Sequence, residues 1–242
     1  MVVRYERSGT AAVVTIDRPE RHNAVDGDTA KALLDAFNRF VEDDDAAVMV
    51  LTGAGEKAFC AGADLKALDT LDADAPGGPM GFTRLLSPKP TIAAISGHCV
   101  AGGLELALWC DLRVATTTAT FGCLERRWGV PLIDGGTQRL PRVIGTGRAL
   151  DLVLTGRTVD AEEALWIGLI TRLVDPGDHV TRALALAEEI AAHPRATTNS
   201  DRRALLEGET LPLEQGLALE AALGRERLTA AHDGARRFAQ RK

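Results

Sequence analysis

The feature that most constrains the fold is a short apolar strand that leads through two glycines into an apolar helix. The strand is expected over Thr91–Ile95, and Gly102 and Gly103 precede a helix in which Glu105 is the only charged residue. Glycines at such a turn let the backbone approach a ligand, and N–H groups at a helix start can bind negative charge. A carboxylate with apolar neighbours needs a partner or a chemical role. The segment also fits an ordinary helix start with a Glu favoured by the helix dipole, so both interpretations stay open here.

Strand and helix signals alternate along the first half of the chain. Short β-prone runs are found at residues 13–16, 48–51, 91–95 and 112–115. Residues 30–40 carry apolar side chains at helical spacing, and this alternation predicts a largely parallel α/β arrangement. In the second half, helices are predicted over residues 146–155, 161–167, 180–192 and 213–231, with one extended piece at 171–174. We therefore predict a sheet-based core followed by a helical region.

The segment 69–82 is the least regular part of the sequence. It contains Pro76-Gly77-Gly78-Pro79, a run that cannot continue a long helix or strand. We therefore predict a mobile loop.

Charge and cysteine content exclude several classes of protein. The formal net charge is −6 and Lys and Arg form no long block, which argues against nucleic-acid binding. No apolar run reaches membrane-spanning length, so no membrane association is expected. The four cysteines lack metal-ligand spacing and are predicted to be reduced, buried thiols. These features predict a cytoplasmic protein with no metal site.

Two other motifs are weak. Gly53-Ala54-Gly55 with Ala58 fits the loose dinucleotide pattern, but the region about 20 residues on is the Pro/Gly segment instead of a strand with an acid. No G-x-S-x-G motif is present, and Ser96 two residues before His98 does not make a catalytic triad. A dinucleotide cofactor and a serine peptidase are both disfavoured.

Several segments together carry a specific resemblance. Residues 18–24, 59–65, 97–107, 121–131 and 134–141 resemble the enoyl-CoA hydratase/isomerase (crotonase) superfamily in order and spacing. The motifs span roughly residues 5–175, and the likeness in length covers the whole chain. The resemblance implies an α/β crotonase fold, in which repeated ββα units form a sheet-based core. The core is placed at residues 1–185, and residues 186–242 are expected to form a helical trimerisation region.

The resemblance also implies a substrate and a means of binding it. Members of the superfamily bind acyl-CoA thioesters and stabilise a thioester enolate with two backbone N–H groups, which correspond here to Ala63 and Gly102. Such preorganised donors are typically worth about 3–4 kcal/mol each. No metal or cofactor is implied, since coenzyme A enters as part of the substrate. The implied CoA-binding residues are Ala61, Ala63, Asp64, Leu65 and Lys66.

Three carboxylates are candidates for the chemistry. Hydration of an enoyl double bond needs one acid/base group to activate water and another to deliver a proton. Glu105 and Glu125 fall at the two glutamate positions of the hydratases. Arg126 next to Glu125 is expected to lower the pKa of that carboxyl, which suits a base but not a proton donor. Asp134 lies where other members place a catalytic Asp, and is either a further acid/base group or a turn residue.

Three functions follow from this resemblance. The leading hypothesis is a hydratase acting on a 2-enoyl-CoA. The alternatives are an isomerase that uses a single acid with Asp134 participating, and a non-catalytic acyl-CoA-binding protein. An amphipathic segment at residues 211–231 favours the homotrimer, or pair of trimers, that the resemblance implies. The sequence leaves the acyl group of the substrate open.

Overall fold

Two sheets form the centre of the molecule in a computed structural model that describes residues 1–240. Arg241 and Lys242, the end of the predicted C-terminal region, lie outside the described residues. The strands are β1 (Val3–Ser8), β2 (Ala11–Ile16), β3 (Val48–Gly53), β4 (Ala58–Cys60), β5 (Thr91–Ile95), β6 (His98–Val100), β7 (Leu112–Thr116), β8 (Thr120–Gly122), β9 (Val159–Asp160) and β10 (Arg172–Val174). The helices are α1 (Gly27–Glu42), α2 (Gly102–Trp109), α3 (Gly136–Ile144), α4 (Thr146–Thr155), α5 (Ala161–Trp166), α6 (His179–Ala191), α7 (Arg195–Gly208), α8 (Leu213–Arg225) and α9 (Leu228–Ala239).

The sheets are mostly parallel, as predicted. The larger sheet has the order β1-β2-β3-β5-β7-β10, and only β1 runs antiparallel to its neighbour. The smaller sheet has the order β4-β6-β8-β9, with β9 antiparallel. Strands β2, β3 and β5 are buried along their whole length, which is why they read as continuous apolar runs without alternation.

From β3 to β8, successive strands enter the two sheets in turn, and this arrangement places the glycine-rich helix start at the centre. β5 lies in the larger sheet and β6 in the smaller, and α2 follows at once. At Gly103 a side chain is excluded, because a Cβ atom there would lie 2.0 Å from the carbonyl oxygen of Cys60 at the end of β4. The paired glycines thus allow α2 to begin against the end of β4. The predicted ββα unit is confirmed at this point.

Helices and the smaller sheet cover the two faces of the larger sheet. Helix α6 packs on one face through Ala183, Leu186 and Ala187. The opposite face forms the main core with α1, α2 and the smaller sheet. The predicted boundary at residues 185/186 falls inside α6, so this packing favours a boundary after the helix, near residues 192–194.

Two predictions of local structure differ from what is found. The helix predicted over 213–231 is divided between α8, which ends at Arg225, and α9, which begins at Leu228. Gly224 lies just before this break, and glycine disfavours a continuous helix. The segment 69–82 has no long regular element, as predicted, but residues 77–82 are buried. The expectation of a mobile loop is wrong for this part, because Met80 and Phe82 pack into the core.

The cysteines match the prediction. Cys60, Cys99, Cys110 and Cys123 are all buried free thiols. Burial raises the pKa of Cys60 to about 12, so this thiol stays protonated and unreactive near neutral pH.

In the part of the chain that the structure describes, no helix combines the length and the apolar character needed to cross a bilayer.

Asn23 explains the importance of the segment 18–24 for the fold. Its side chain is fully buried, accepts a hydrogen bond from Arg18 N (3.0 Å) and donates to Ala54 O (3.1 Å) and Ala58 O (2.7 Å). We expect Asn23→Ala to lower the free energy of unfolding by about 2–4 kcal/mol, because it leaves buried backbone groups unpaired. Denaturant unfolding measures this, with Asn38→Ala on the exposed side of α1 as the matched control. Equal losses in the two variants would contradict the prediction.

Candidate active site

A largely apolar cavity of about 620 Å³ opens at the start of α2. Its walls come from the chain after β4, the buried part of the segment 69–82, and the segment between β8 and α3. Apolar surface predominates, and the acidic lining residues are Glu105, Glu125 and Asp134. The structure therefore brings all three candidate carboxylates to one cavity.

Glu105 is buried in the first turn of α2 and is held by the backbone of another segment. Its Oε1 accepts hydrogen bonds from Asp134 N (2.9 Å) and Gly136 N (2.7 Å). Burial raises the pKa of Glu105 to about 7, although these two N–H groups favour the charged form. The carboxyl is thus fixed in place and titrates close to neutral pH.

Glu125 lies in a short 3-10 turn, Leu124–Trp128, that forms one wall of the cavity. It is buried, and neither carboxylate oxygen has a hydrogen-bond partner among residues 1–240. Arg126 Nη2 approaches Oε1 only to 3.7 Å. Burial raises the pKa of Glu125 more strongly than Arg126 lowers it. The predicted lowering is therefore wrong in its net direction, because desolvation outweighs a partly exposed guanidinium.

Asp134 also lines the cavity, but one of its oxygens is already occupied. Oδ1 accepts hydrogen bonds from Met80 N (3.0 Å) and from the hydroxyl of Thr83. Burial raises the pKa of Asp134 while these donors lower it. The carboxylate thus ties the segment 77–83 to the turn that holds Glu105. Asp134 is therefore a turn residue beside the other two acids, and its part as an acid/base group stays a prediction.

The amides of Ala63 and Gly102 belong to neighbouring stretches of the cavity wall. Within residues 1–240, neither N–H donates a hydrogen bond. Gly62 packs directly on the start of α2, since a Cβ atom there would lie 2.8 Å from Gly102 N. Ala101, just before Gly102, has φ 53° and ψ −132°, a strained backbone conformation for a residue with a side chain. Strain next to two free donors is typical of a binding or catalytic site.

The five candidate CoA-binding residues divide into two groups. Ala61, Ala63 and Leu65 line the cavity, whereas Asp64 and Lys66 do not. The carboxylate of Asp64 is buried and pairs with Arg18 Nη2 at 3.1 Å. This ion pair gives Asp64 a structural role that the motif alone did not indicate. Lys66 is exposed and follows Leu65 in the chain, and its role in CoA binding stays a prediction.

Two further lining residues were not recognised from the sequence. Met80 is buried with its Sδ and Cε atoms next to Gly102, and Trp128 is 73% exposed at the edge of the cavity. The sequence did contain a signal for the burial of this segment, because large apolar residues such as Met80 and Phe82 are unusual in a mobile Pro/Gly-rich loop.

Among residues 1–240 there is no group of three or more His, Cys, Asp or Glu side chains that could hold a metal ion.

Comparisons with known proteins find relatives along nearly the whole chain. A family model described as enoyl-CoA hydratase/isomerase matches residues 6–242. The short-chain-enoyl-CoA hydratase of Clostridium acetobutylicum is 37% identical over 222 residues, covering 89% of this chain and 85% of that protein. The (E)-benzylidenesuccinyl-CoA hydratase of Thauera aromatica is 40% identical over 227 residues, covering 90% and 87%. The solved structure of an enoyl-CoA hydratase from Mycobacterium tuberculosis H37Rv matches with a TM-score of 0.94 at 36% identity, covering 100% of this chain and 96% of that chain. This structural likeness confirms the predicted fold.

Proposed function

The chain belongs to the enoyl-CoA hydratase/isomerase family, and we propose that it is a lyase that adds water to the double bond of a 2-enoyl-CoA. One observation carries this proposal: Glu105 and Glu125 line the same apolar cavity as the amides of Ala63 and Gly102, which donate no hydrogen bond within residues 1–240. Two acid/base groups and two oxyanion donors are what the hydration of an enoyl thioester requires.

In the proposed reaction, the amides of Ala63 and Gly102 donate hydrogen bonds to the thioester oxygen. Glu105 acts as the base, since the two backbone N–H groups on its Oε1 stabilise the charged form. It takes a proton from water while the water oxygen bonds to C3 and the C2–C3 electron pair moves toward the thioester oxygen. Glu125 gives a proton to C2 from its protonated form, which burial favours by raising the pKa of this carboxyl. Proton exchange with water then restores both carboxyls.

The two alternatives have less support from the site. An isomerase that uses a single acid with Asp134 participating leaves Glu125 without a role, although both oxygens of Glu125 lack a hydrogen-bond partner among residues 1–240. A non-catalytic binding protein has no need for two buried carboxyls with raised pKa values in one cavity, which cost stability when charged. The hydratase uses every one of these groups.

The test is to incubate the purified protein with crotonyl-CoA and follow the loss of enoyl-thioester absorbance. We expect hydration to 3-hydroxybutyryl-CoA, identified by mass. Conversion of a 3-enoyl-CoA without hydration of crotonyl-CoA would favour the isomerase. Tight binding of acyl-CoA without turnover of either substrate would favour the non-catalytic protein.

The pH dependence of the reaction follows from Glu105. Only its charged form takes a proton from water, and its pKa is raised to about 7. We expect kcat/KM to fall about tenfold for each pH unit below this value. Measuring kcat/KM for crotonyl-CoA between pH 5 and 9 checks this. A profile that is flat below neutral pH would show that Glu105 is not the base.

The cavity and the C-terminal helices support finer proposals. No Lys or Arg among residues 1–240 lines the cavity, so we propose an uncharged hydrocarbon acyl group, as in fatty acid metabolism. No cofactor beyond the CoA thioester is needed for the proposed steps. Apolar side chains are exposed on α8 and α9, including Leu213 (79%) and Phe238 (76%), which supports a homotrimer or a pair of trimers. The cytoplasmic location stays a prediction.

A further inference from the structure

Arg139 on α3 joins two segments that form the walls of the cavity. Its Nη1 donates to Asp134 O (2.9 Å) and its Nη2 donates to Thr83 O (2.6 Å). Arg139 is half-buried and does not itself line the cavity. The guanidinium therefore acts on the site only through the backbone that it holds.

We propose that Arg139 is a positioning residue for Glu105, holding the turn whose amides fix that carboxylate. This inference rests on the proposed function, in which Glu105 is the base. The turn at residues 134–136 supplies both N–H groups that bind Oε1 of Glu105. Because Arg139 holds the carbonyl of Asp134, it fixes the same turn from its other side.

The turn is shaped to receive the guanidinium. Gly135 has φ 100°, which favours glycine, and a Cβ atom there would lie 2.1 Å from Nη1 of Arg139. A side chain at residue 135 would therefore displace the guanidinium from the turn. The guanidinium donates from two N–H groups to two separate carbonyls and so fixes both segments. The single ammonium group of a lysine cannot hold both carbonyls in this geometry.

The second partner of Arg139 connects it to the oxyanion side of the cavity. Thr83, whose carbonyl accepts from Nη2, also donates its hydroxyl to Asp134. Asp134 in turn accepts from the backbone of Met80, whose side chain lies against Gly102. Arg139 thus helps to hold both the base and the wall beside the oxyanion amide.

Charge gives this residue a second effect on Glu105. Burial lowers the pKa of Arg139, while attraction to Glu105 and then Asp134 raises it. The guanidinium stays charged at any working pH, so it favours the carboxylate form of Glu105. Removing the charge and loosening the two amides would both raise the pKa of Glu105.

The test compares Arg139→Gln with Arg142→Gln, an exposed arginine of the same helix that pairs with Glu209. We expect R139Q to lower kcat by about tenfold to a hundredfold with little change in KM. The acid limb of its pH profile should move up by about half a unit to one unit. R142Q should leave both unchanged. A purely structural role for Arg139 would lower thermal stability without moving the acid limb, and that result would overturn the inference.

A direct titration separates this inference from the proposed function. The carboxyl carbon of Glu105 can be followed by 13C NMR in glutamate-labelled protein and assigned by its loss in E105Q. We expect a higher titration midpoint in R139Q than in R142Q, even if the parent protein hydrates no substrate. An equal midpoint overturns the inference. If R139Q does not fold, Arg139→Lys decides, because it keeps the charge but not the double contact. R139K should lower kcat, and a parental kcat in it would overturn the inference.

Discussion

Glu105→Gln is expected to lower kcat for hydration by about 10²–10⁴, with acyl-CoA binding retained. The amide oxygen of glutamine can still accept from Asp134 N and Gly136 N, so the turn that holds residue 105 stays in place. The variant loses only the group that takes a proton from water. Steady-state kinetics with crotonyl-CoA and calorimetric binding of a saturated acyl-CoA measure the two effects separately.

Stability provides the control for this variant. Because the folded-state pKa of Glu105 is raised to about 7, the folded protein binds this proton more tightly than the unfolded chain. Its contribution to stability is complete below about pH 4.5 and is lost as the pH rises through 7, a difference of about 3 kcal/mol. Glutamine never ionises, so the stability of the variant relative to the parent should increase from pH 5 to 8. Loss of activity with a parental pH dependence of stability would contradict the assignment of this pKa to Glu105.

Glu125→Gln is expected to lower kcat by a similar factor, about 10²–10⁴, because it removes the proton donor to C2. Both oxygens of Glu125 lack partners within residues 1–240, so the substitution breaks no internal hydrogen bond. The effect should therefore appear in kcat and not in the folding of the chain. Steady-state kinetics with crotonyl-CoA measures the loss of kcat, and thermal unfolding of the variant checks that its fold is kept.

Asp134→Asn is the matched comparison for the second acid. Asparagine keeps an oxygen that can accept from Met80 N and the Thr83 hydroxyl, so the hydrogen bonds between the segment 77–83 and the turn at residue 134 are retained. We expect a loss of less than about tenfold, well below that of E125Q. A loss in D134N as large as in E125Q would instead make Asp134 the second acid/base group.

The losses of kcat in E105Q and E125Q should be far from additive in the double variant E105Q/E125Q, since both carboxyls act in one reaction.

Much of the fold could be predicted from local patterns. The strands β3 and β5 are continuous apolar runs, and α4 was predicted with its observed bounds, because apolar periodicity reflects local burial. The break between α8 and α9 was missed, as was the burial of residues 77–82. The burial of residues 77–82 depends on what packs against the segment, and the apolar Met80 and Phe82 are the local sign of it.

The candidate site shows the same division. Glu105, Ala63 and Gly102 belong to motifs in which neighbouring residues fix the backbone, and their place at one cavity agrees with the motif positions. Asp64 belongs to such a motif as well, yet its carboxylate is paired with Arg18, 46 positions away. A motif therefore indicates which segment lies at the site, but not which of its side chains face the ligand.

The sequence by itself determined the parallel α/β fold and the glycine turn before α2, because both depend on residue types at short spacing. The resemblance of its motifs to a known family added the candidate carboxylates. Only the tertiary structure decided how Glu125 and Asp134 differ. Arg126 is the neighbour of Glu125 in sequence, but burial governs the pKa of Glu125. Asp134 instead accepts hydrogen bonds from Met80 and Thr83, which lie more than 50 positions away in the chain. Desolvation and long-range hydrogen bonds arise only when distant segments pack together, so the order of residues cannot show them.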